Sequence, residues 1–238
     1  YALAAARHMH EYGTSKRQLA EVAVAARRWA QLNPEACARD ELSIDDVVNA
    51  RLVSDPLGLR DCCLVTDGAA AIVLTRADRA RDCRRKPVSV LAAASAVTHA
   101  DISSMPDLTV TGAVESGARA YAQAGVEAAD IDVVQVYDAF TINTLLFLED
   151  LGFCPKGEGG RFVEDGAIAP GGKLAVNTSG GGLSYCHPGM FGLFLLVESV
   201  RQLRGECGAR QISNAKLALA HANGGLLSSQ ATAILSID

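Results

Sequence analysis

Strand-like and helix-like patterns alternate from residue 87 to the end of the chain, and this alternation constrains the fold more than any other feature. The last two strands are joined through Gly224-Gly225, as in a hairpin. Such an alternation predicts an α/β fold with a mixed, mostly parallel sheet covered by helices. The predicted strands read VSVLAAASAV, IDVVQVY, KLAVN, KLALAHA and SQATAILSI, and the predicted helices cover 113–124, 140–151 and 188–204.

The first part of the chain has a different sequence pattern. Residues 1–60 carry helical patterns and no strand pattern, and Ser15 followed by Gln18 has the spacing of a helix capping box. Residues 68–76 (GAAAIVLTR) are apolar and predict a strand buried on both faces. The charged segment 76–87 (RADRARDCRRKP) predicts an exposed connector to the α/β region.

The helix predicted after Pro188 is apolar on nearly all sides. A helix of this kind is expected to be buried within the protein. Its apolar side chains are Met190, Phe191, Leu193, Phe194, Leu195, Leu196 and Val197.

Composition excludes several classes of function. A net charge of −5 argues against bulk attraction to nucleic acid, and no apolar run approaches the roughly 20 residues that span a bilayer. The seven cysteines are scattered and form no CxxC pair, which argues against a zinc ribbon and favours free thiols in a reducing cytoplasm. Because the chain begins at Tyr1 within a helical pattern, we expect it to be part of a longer protein.

Polar residues gather at three junctions, and functional groups in α/β sheets gather where strands end. Tyr137 and Asp138 follow the strand IDVVQVY, although Tyr137 could simply close the core and Asp138 could cap a helix. His187 lies between the glycine run 180–182 and a helix start, a position that favours neutral imidazole. Asn223 ends a strand and equally fits a plain hairpin.

Together the three junctions resemble the second half of a thiolase, most closely the sterol-carrier-protein-x branch. Cys186-His187-Pro188 and Asp138-Ala139-Phe140 stand where that superfamily carries Gly-His-Pro and a motif ending in Phe. The resemblance implies a thiolase-like fold and three parts. These parts are a helical loop domain over 1–60, a returning strand and connector over 61–86, and a C-terminal half-domain over 87–238.

The departures from the thiolase pattern are informative. Tyr137 replaces Asn or His, Ala139 replaces a cysteine, and no cysteine follows Asn223. Claisen chemistry needs a thiol nucleophile and a second acid/base. The substitutions resemble the thiolase-like aldolases of bacterial steroid side-chain degradation, which cleave a β-hydroxyacyl-CoA without a covalent acyl-enzyme. Helix N-termini are expected to lower the pKa of the phenols of Tyr137 and Tyr185.

The resemblance implies a set of site residues. Tyr137, Tyr185 and His187 are the predicted catalytic residues, with both tyrosine hydroxyls close to the imidazole. The predicted substrate-binding residues are Asp138, Asn223, Gly224, Gly182 and Phe140. No metal site is predicted.

It also implies ligands and partners. The substrate is an acyl-CoA, so CoA enters as part of the substrate and no cofactor is held covalently. We expect a homodimer that binds a partner protein carrying an OB-fold and a zinc ribbon. Two alternatives remain: a true thiolase or acetyl-CoA C-acyltransferase whose nucleophile lies in the first half, and a non-catalytic lipid-binding or assembly subunit.

Overall fold

The computed structural model describes residues 1–80 and 82–237. Arg81, in the predicted connector, and Asp238, at the end of the predicted half-domain, lie outside the described residues. Within the described ranges, every helix is too short or too polar to cross a membrane.

From residue 87 onward, the helices and strands follow the predicted order, whereas a short antiparallel strand pair lies within residues 1–60, where no strand is predicted. Short 3₁₀ turns join several of them. The helices are α1 (Ala2–Tyr12), α2 (Lys16–Gln31), α3 (Ile44–Val48), α4 (Ala77–Ala80), α5 (Ala113–Ala124), α6 (Thr141–Asp150), α7 (Gly159–Phe162) and α8 (Gly192–Arg204). The strands are β1 (Leu52–Ser54), β2 (Leu57–Gly58), β3 (Ser89–Val97), β4 (Val133–Val136), β5 (Ala175–Val176), β6 (Leu217–Gly224) and β7 (Ser229–Ser236).

The five strands from β3 onward form one mixed sheet in the order β3-β7-β6-β4-β5. β7 pairs antiparallel with both β3 and β6, whereas β4 pairs parallel with β6 and β5. Four strands therefore run in one direction and β7 runs against them, so two of the four pairings are antiparallel and the sheet is mixed, as predicted. Because β5, β4 and β6 are parallel neighbours, their carboxyl ends meet at one edge, and the three junctions follow these ends.

Local sequence signals begin and end the helices. Ser15 Oγ accepts a hydrogen bond from Gln18 N while the Gln18 side chain accepts from Ser15 N, so the predicted capping box is present. Gly13, Gly125 and Gly205 end α1, α5 and α8 in the left-handed conformation that glycine adopts without a Cβ penalty.

The strand predicted over 68–76 is wrong. These residues adopt no regular strand in the structure, and Val73 and Leu74 are 93% and 78% exposed. A strand needs neighbouring main-chain partners, and no strand among the described residues pairs with this segment. The prediction that this segment is buried on both faces is therefore also wrong.

The helix predicted from Pro188 begins later, at Gly192. A single five-residue π-helical turn, Gly181–Tyr185, precedes it, and an irregular loop joins the two. The predicted burial holds for one face only: Phe191 and Leu195 are fully buried, whereas Met190 and Leu193 are 84% and 46% exposed. The buried face packs against β4 and β6, and no described residue covers the opposite face fully.

Residues 1–60 share a hydrophobic core with the sheet region. Leu19 and Val22 of α2 and Leu57 of β2 belong to the same buried cluster as α6 and the end of β4. α2 also packs against the Gly181–Tyr185 turn. The helical part of the chain therefore supports the elements that carry the junctions.

Candidate active site

Tyr137 directly follows β4 and is held at both ends. Its N–H donates to His221 O of the neighbouring strand at 3.0 Å. Its hydroxyl donates to Gly189 O at 3.1 Å and accepts from Phe191 N at 3.4 Å. Burial raises the pKa of the Tyr137 phenol, so it is a protonated hydrogen-bond donor at neutral pH. The expected lowering by a helix N-terminus is wrong, because α6 begins only at Thr141.

Asp138 faces the protein interior. Its carboxylate is fully buried and accepts from Gly182 N at 2.6 Å and from Leu183 N at 3.4 Å. Burial raises the pKa of this carboxyl to about 7, although both main-chain hydrogen bonds oppose the rise. A Cβ on Gly181 would collide with the carboxylate, so the glycine run is what allows this approach. Asp138 thus links the chain after β4 to the glycine run before His187 by hydrogen bonds.

His187 lies against Tyr137. The two rings meet edge to face with centroids 5.4 Å apart and an interplanar angle of 84°. The imidazole Nε2 is buried and has no hydrogen-bond partner among the described residues. Burial lowers the pKa of His187. This favours the neutral imidazole, as predicted, although the expected cause was a helix start. A neutral imidazole whose buried nitrogen has no partner among the described residues can donate or accept one further hydrogen bond.

His187 and Asp138 both pack closely against Gly182. A Cβ at this position would lie 3.0 Å from the His187 ring carbon Cδ2 and 3.2 Å from Asp138 O. Its N–H is bonded to Asp138, and its carbonyl accepts from Leu64 N at 2.9 Å. Both main-chain groups of Gly182 therefore have protein partners.

Tyr185 lies apart from this pair. Its ring packs against Phe194, with centroids 6.1 Å apart. Phe194 stacks on Phe191, which in turn contacts Tyr137, so two phenylalanine rings separate the tyrosines. Burial raises the pKa of the Tyr185 phenol, so the expected lowering by a helix N-terminus is wrong here too. The charges that act on this phenol include those of Glu35 and Arg201. The structure brings Tyr137 and His187 together and leaves Tyr185 outside.

Asn223 is linked to the candidate site through Tyr1, a residue that the sequence analysis did not predict as part of it. Asn223 Nδ2 donates to Tyr1 OH at 3.0 Å, and its Oδ1 accepts from Gln230 at 3.0 Å. The Tyr1 ring stacks on half-buried Phe140 at 4.5 Å. Tyr1 is near enough to Tyr137 to act electrostatically on its phenol. No sequence signal marked Tyr1, because the contact spans almost the whole chain.

The hairpin at the third junction is confirmed. β6 and β7 pair antiparallel up to Gly224 and Ser229, and Gly225 adopts a left-handed turn with φ of 59°. Gly224 is exposed at the end of this ladder.

His221 is structural. Its ring is fully buried between Thr232 Oγ1 at 2.8 Å and Gln230 Oε1 at 2.9 Å. Burial lowers the pKa of His221 to about 4, so it remains neutral.

Thiol chemistry is disfavoured near the pair. Burial raises the pKa of Cys63 to about 11 and that of Cys186 to about 12. Nucleophilic thiols require a lowered pKa. Within the described part of the chain, no cluster of His, Cys, Asp and Glu could hold a metal ion.

Comparison with known proteins identifies relatives over the whole chain. The chain is 43% identical to an acetyl-CoA acetyltransferase of Methanothermobacter thermautotrophicus, over 99% of this chain and 62% of that protein. It is 42% identical to the 17-hydroxy-3-oxo-4-pregnene-20-carboxyl-CoA lyase of Mycobacterium tuberculosis, over 86% of this chain and 54% of that protein.

A solved structure has the same fold. The Ltp2-ChsH2(DUF35) aldolase superposes on this chain with a TM-score of 0.88 and 31% identity, over 100% of this chain and 62% of that one. The chain therefore spans about three fifths of the length of these relatives. A family model described as thiolase C-terminal domain-like matches residues 94–237. Because that match covers more than half of its residues, the chain belongs to the thiolase C-terminal domain-like family.

Proposed function

We propose that this protein cleaves the Cα–Cβ bond of a β-hydroxyacyl-CoA by a retro-aldol reaction, with a steroid side-chain CoA thioester as substrate. The observation that carries the proposal is the contact between a protonated phenol, Tyr137, and a neutral imidazole, His187, whose Nε2 has no partner in the described chain. Relatives named as a CoA lyase and an aldolase support it.

The two side chains suit the two tasks of the reaction. His187 Nε2 takes the β-hydroxyl proton, the Cα–Cβ bond breaks, and the electron pair passes to the thioester as an enolate. Tyr137 donates a hydrogen bond to the enolate oxygen, and the imidazolium returns its proton to Cα. The products are a carbonyl compound and a shortened acyl-CoA. For this role the substrate oxygen must replace Gly189 O as the acceptor of the Tyr137 hydrogen.

The remaining predicted residues receive supporting roles. Asp138 holds the glycine turn rather than touching substrate, since both its oxygens accept main-chain hydrogen bonds. Gly182 provides the space for the imidazole. Phe140 with Tyr1, and Asn223 with Gly224, form the wall beside Tyr137 in this proposal.

Assembly and location complete the proposal. In this proposal the chain divides into the parts 1–60, 61–86 and 87–238. The protein forms a homodimer and binds a partner protein with an OB-fold and a zinc ribbon. The protein is located in the cytoplasm, holds no cofactor covalently, and binds CoA as part of its substrate.

The experiment compares two substrates with the intact protein, alone and mixed with its OB-fold partner. A β-hydroxyacyl-CoA is offered without free CoA, and a β-ketoacyl-CoA is offered with free CoA. The proposal predicts release of a carbonyl product from the first and no thiolysis of the second. Thiolysis of the ketoacyl-CoA alone would make the protein a thiolase, and no turnover of either would favour a non-catalytic subunit.

A further inference from the structure

A segment without regular secondary structure, residues 63–66, crosses both junctions of the candidate site. Cys63 N donates to Ala139 O at 2.8 Å, beside Tyr137 and Asp138. Leu64 N donates to Gly182 O at 2.9 Å. This segment, here called the strap, therefore joins the main chain after β4 to the glycine turn that precedes His187.

Thr66, the last residue of the strap, binds the main chain of His187 on both sides. The His187 N–H donates to Thr66 Oγ1 at 2.9 Å, and Thr66 N donates to His187 O at 3.5 Å. The first bond is the shorter and depends on a side-chain hydroxyl. The irregular loop after the turn holds no regular helix or strand at this point, so these two bonds fix the peptide that carries the imidazole.

The His187 ring is otherwise held by packing. It contacts Tyr137 and Phe191 through ring faces and edges, with centroids 5.4 and 6.0 Å away. Its Nε2 bonds to no described residue. The direction of this nitrogen therefore depends on where the main chain places Cα, and on Gly182 beneath the ring.

We propose that Thr66 is a positioning residue that sets the orientation of His187 Nε2 relative to Tyr137 by anchoring the His187 main chain. The inference rests on the proposed function for its consequence on turnover, and on the geometry alone for its consequence on the loop. Thr66 touches no reacting atom in this account. Its hydroxyl acts as the acceptor that keeps a half-buried N–H paired, and an unpaired N–H would drive the loop to rearrange.

The test uses Thr66→Val, which keeps the shape and deletes the acceptor, and Thr66→Ser, which keeps the acceptor. Thr66→Ala repeats the deletion without adding a methyl group to the loop. Thr75→Val is the matched control, because Thr75 lies exposed further along the same region and makes no hydrogen bond among those described. All four are made in the intact protein.

Two readouts are measured: hydrogen exchange of the peptide spanning 184–190, and kcat and KM on a β-hydroxyacyl-CoA. We expect Thr66→Val and Thr66→Ala to speed exchange about tenfold and to lower kcat about tenfold, with KM within about twofold. Thr66→Ser restores both values, and Thr75→Val changes neither.

Exchange and kcat in Thr66→Val and Thr66→Ala that match the Thr75→Val control would overturn the inference. An equal loss in Thr66→Ser would also overturn it, since the hydroxyl would not then be the anchor. If the intact protein cleaves no β-hydroxyacyl-CoA, the proposed function fails, while the exchange comparison still decides whether Thr66 anchors the loop.

Discussion

At the residue scale, the buried carboxyl of Asp138 makes stability depend on pH. Its pKa is about 7 in the folded protein, against about 3.9 in an unfolded chain. A raised pKa contributes stability that is fully present below the unfolded value and is lost as pH rises through the folded value. We therefore expect Asp138→Asn, which does not ionise, to gain unfolding free energy relative to the parent between about pH 4 and pH 7, by a few kcal/mol.

The measurement is urea unfolding of both proteins at a series of pH values. Asp107→Asn is the contrasting control, because hydrogen bonds from Thr109 hold the pKa of Asp107 low and reverse the sign. A difference between Asp138→Asn and the parent that is the same at pH 4 and pH 8 would contradict the assignment.

At this scale, local sequence signals predict part of the candidate site. His187 and Tyr137 were identified because each stands beside a strand end or a glycine run, which are local signals. Tyr185 was placed with them because it is two residues from His187, yet the π-helical turn directs it towards Phe194. Tyr1 was missed because its partners, Asn223 and Phe140, are distant in the sequence.

At the element scale, the glycine turn fixes the gap between the two junctions. Gly182→Ala places a Cβ 3.0 Å from His187 Cδ2, which is about the shortest distance that Cβ contacts show in proteins. We expect the imidazole to shift and turnover of a β-hydroxyacyl-CoA to fall by ~10² or more, because small misplacements cost about that factor.

The control is Gly112→Ala, which is nearly as crowded, with Thr98 Cγ2 at 3.2 Å, but has neighbours on β3 and β7. Steady-state kinetics of both variants at equal folded concentration make the comparison. Equal turnover in the two variants would show that the turn does not set the imidazole position.

Helix boundaries that depend on neighbouring residues could be predicted, whereas a boundary that depends on distant contacts could not. The capping box of α2 and the glycine end of α5 follow from neighbouring residues alone. The start of α8 could not be predicted, since the distant Tyr137 hydroxyl holds Gly189 and Phe191 in the loop by hydrogen bonds. The strand predicted over 68–76 failed because strand formation depends on distant partners.

At the scale of the whole molecule, a buried charge network joins the helical part to the sheet region. Glu149 of α6 bonds to His8 Nε2 at 3.0 Å, to Gly159 N at 2.8 Å and to Lys156 Nζ at 3.1 Å. We expect Glu149→Leu to lower the free energy of unfolding by about 3–5 kcal/mol, because it leaves buried partners unpaired.

Urea unfolding measures this loss against Glu158→Leu. Glu158 forms an exposed pair with Arg161, and removing such a pair costs about 1 kcal/mol or less. Similar losses in both variants would mean that the network does not hold α1 to α6.

The alternation of strands and helices predicted the mixed sheet, but not its strand order. The alternation reports local periodicity, whereas the order β3-β7-β6-β4-β5 depends on pairings such as Ser89 with Ser236 across most of the chain. The convergence of the three junctions follows from that order, so the site could be assembled from sequence only through the family resemblance.

The central claim is that the Tyr137–His187 pair performs the chemistry. The most direct test is turnover of a β-hydroxyacyl-CoA by Tyr137→Phe and His187→Ala in the intact protein. Tyr121→Phe is the matched control, because the Tyr121 hydroxyl also donates to a main-chain carbonyl, Leu151 O, at 3.0 Å. Tyr185→Phe tests the excluded tyrosine.

We predict that Tyr137→Phe and His187→Ala fold normally and lose turnover by ~10² or more, while Tyr121→Phe and Tyr185→Phe stay within about threefold of the parent. Turnover of Tyr137→Phe and His187→Ala equal to that of Tyr121→Phe would contradict the account.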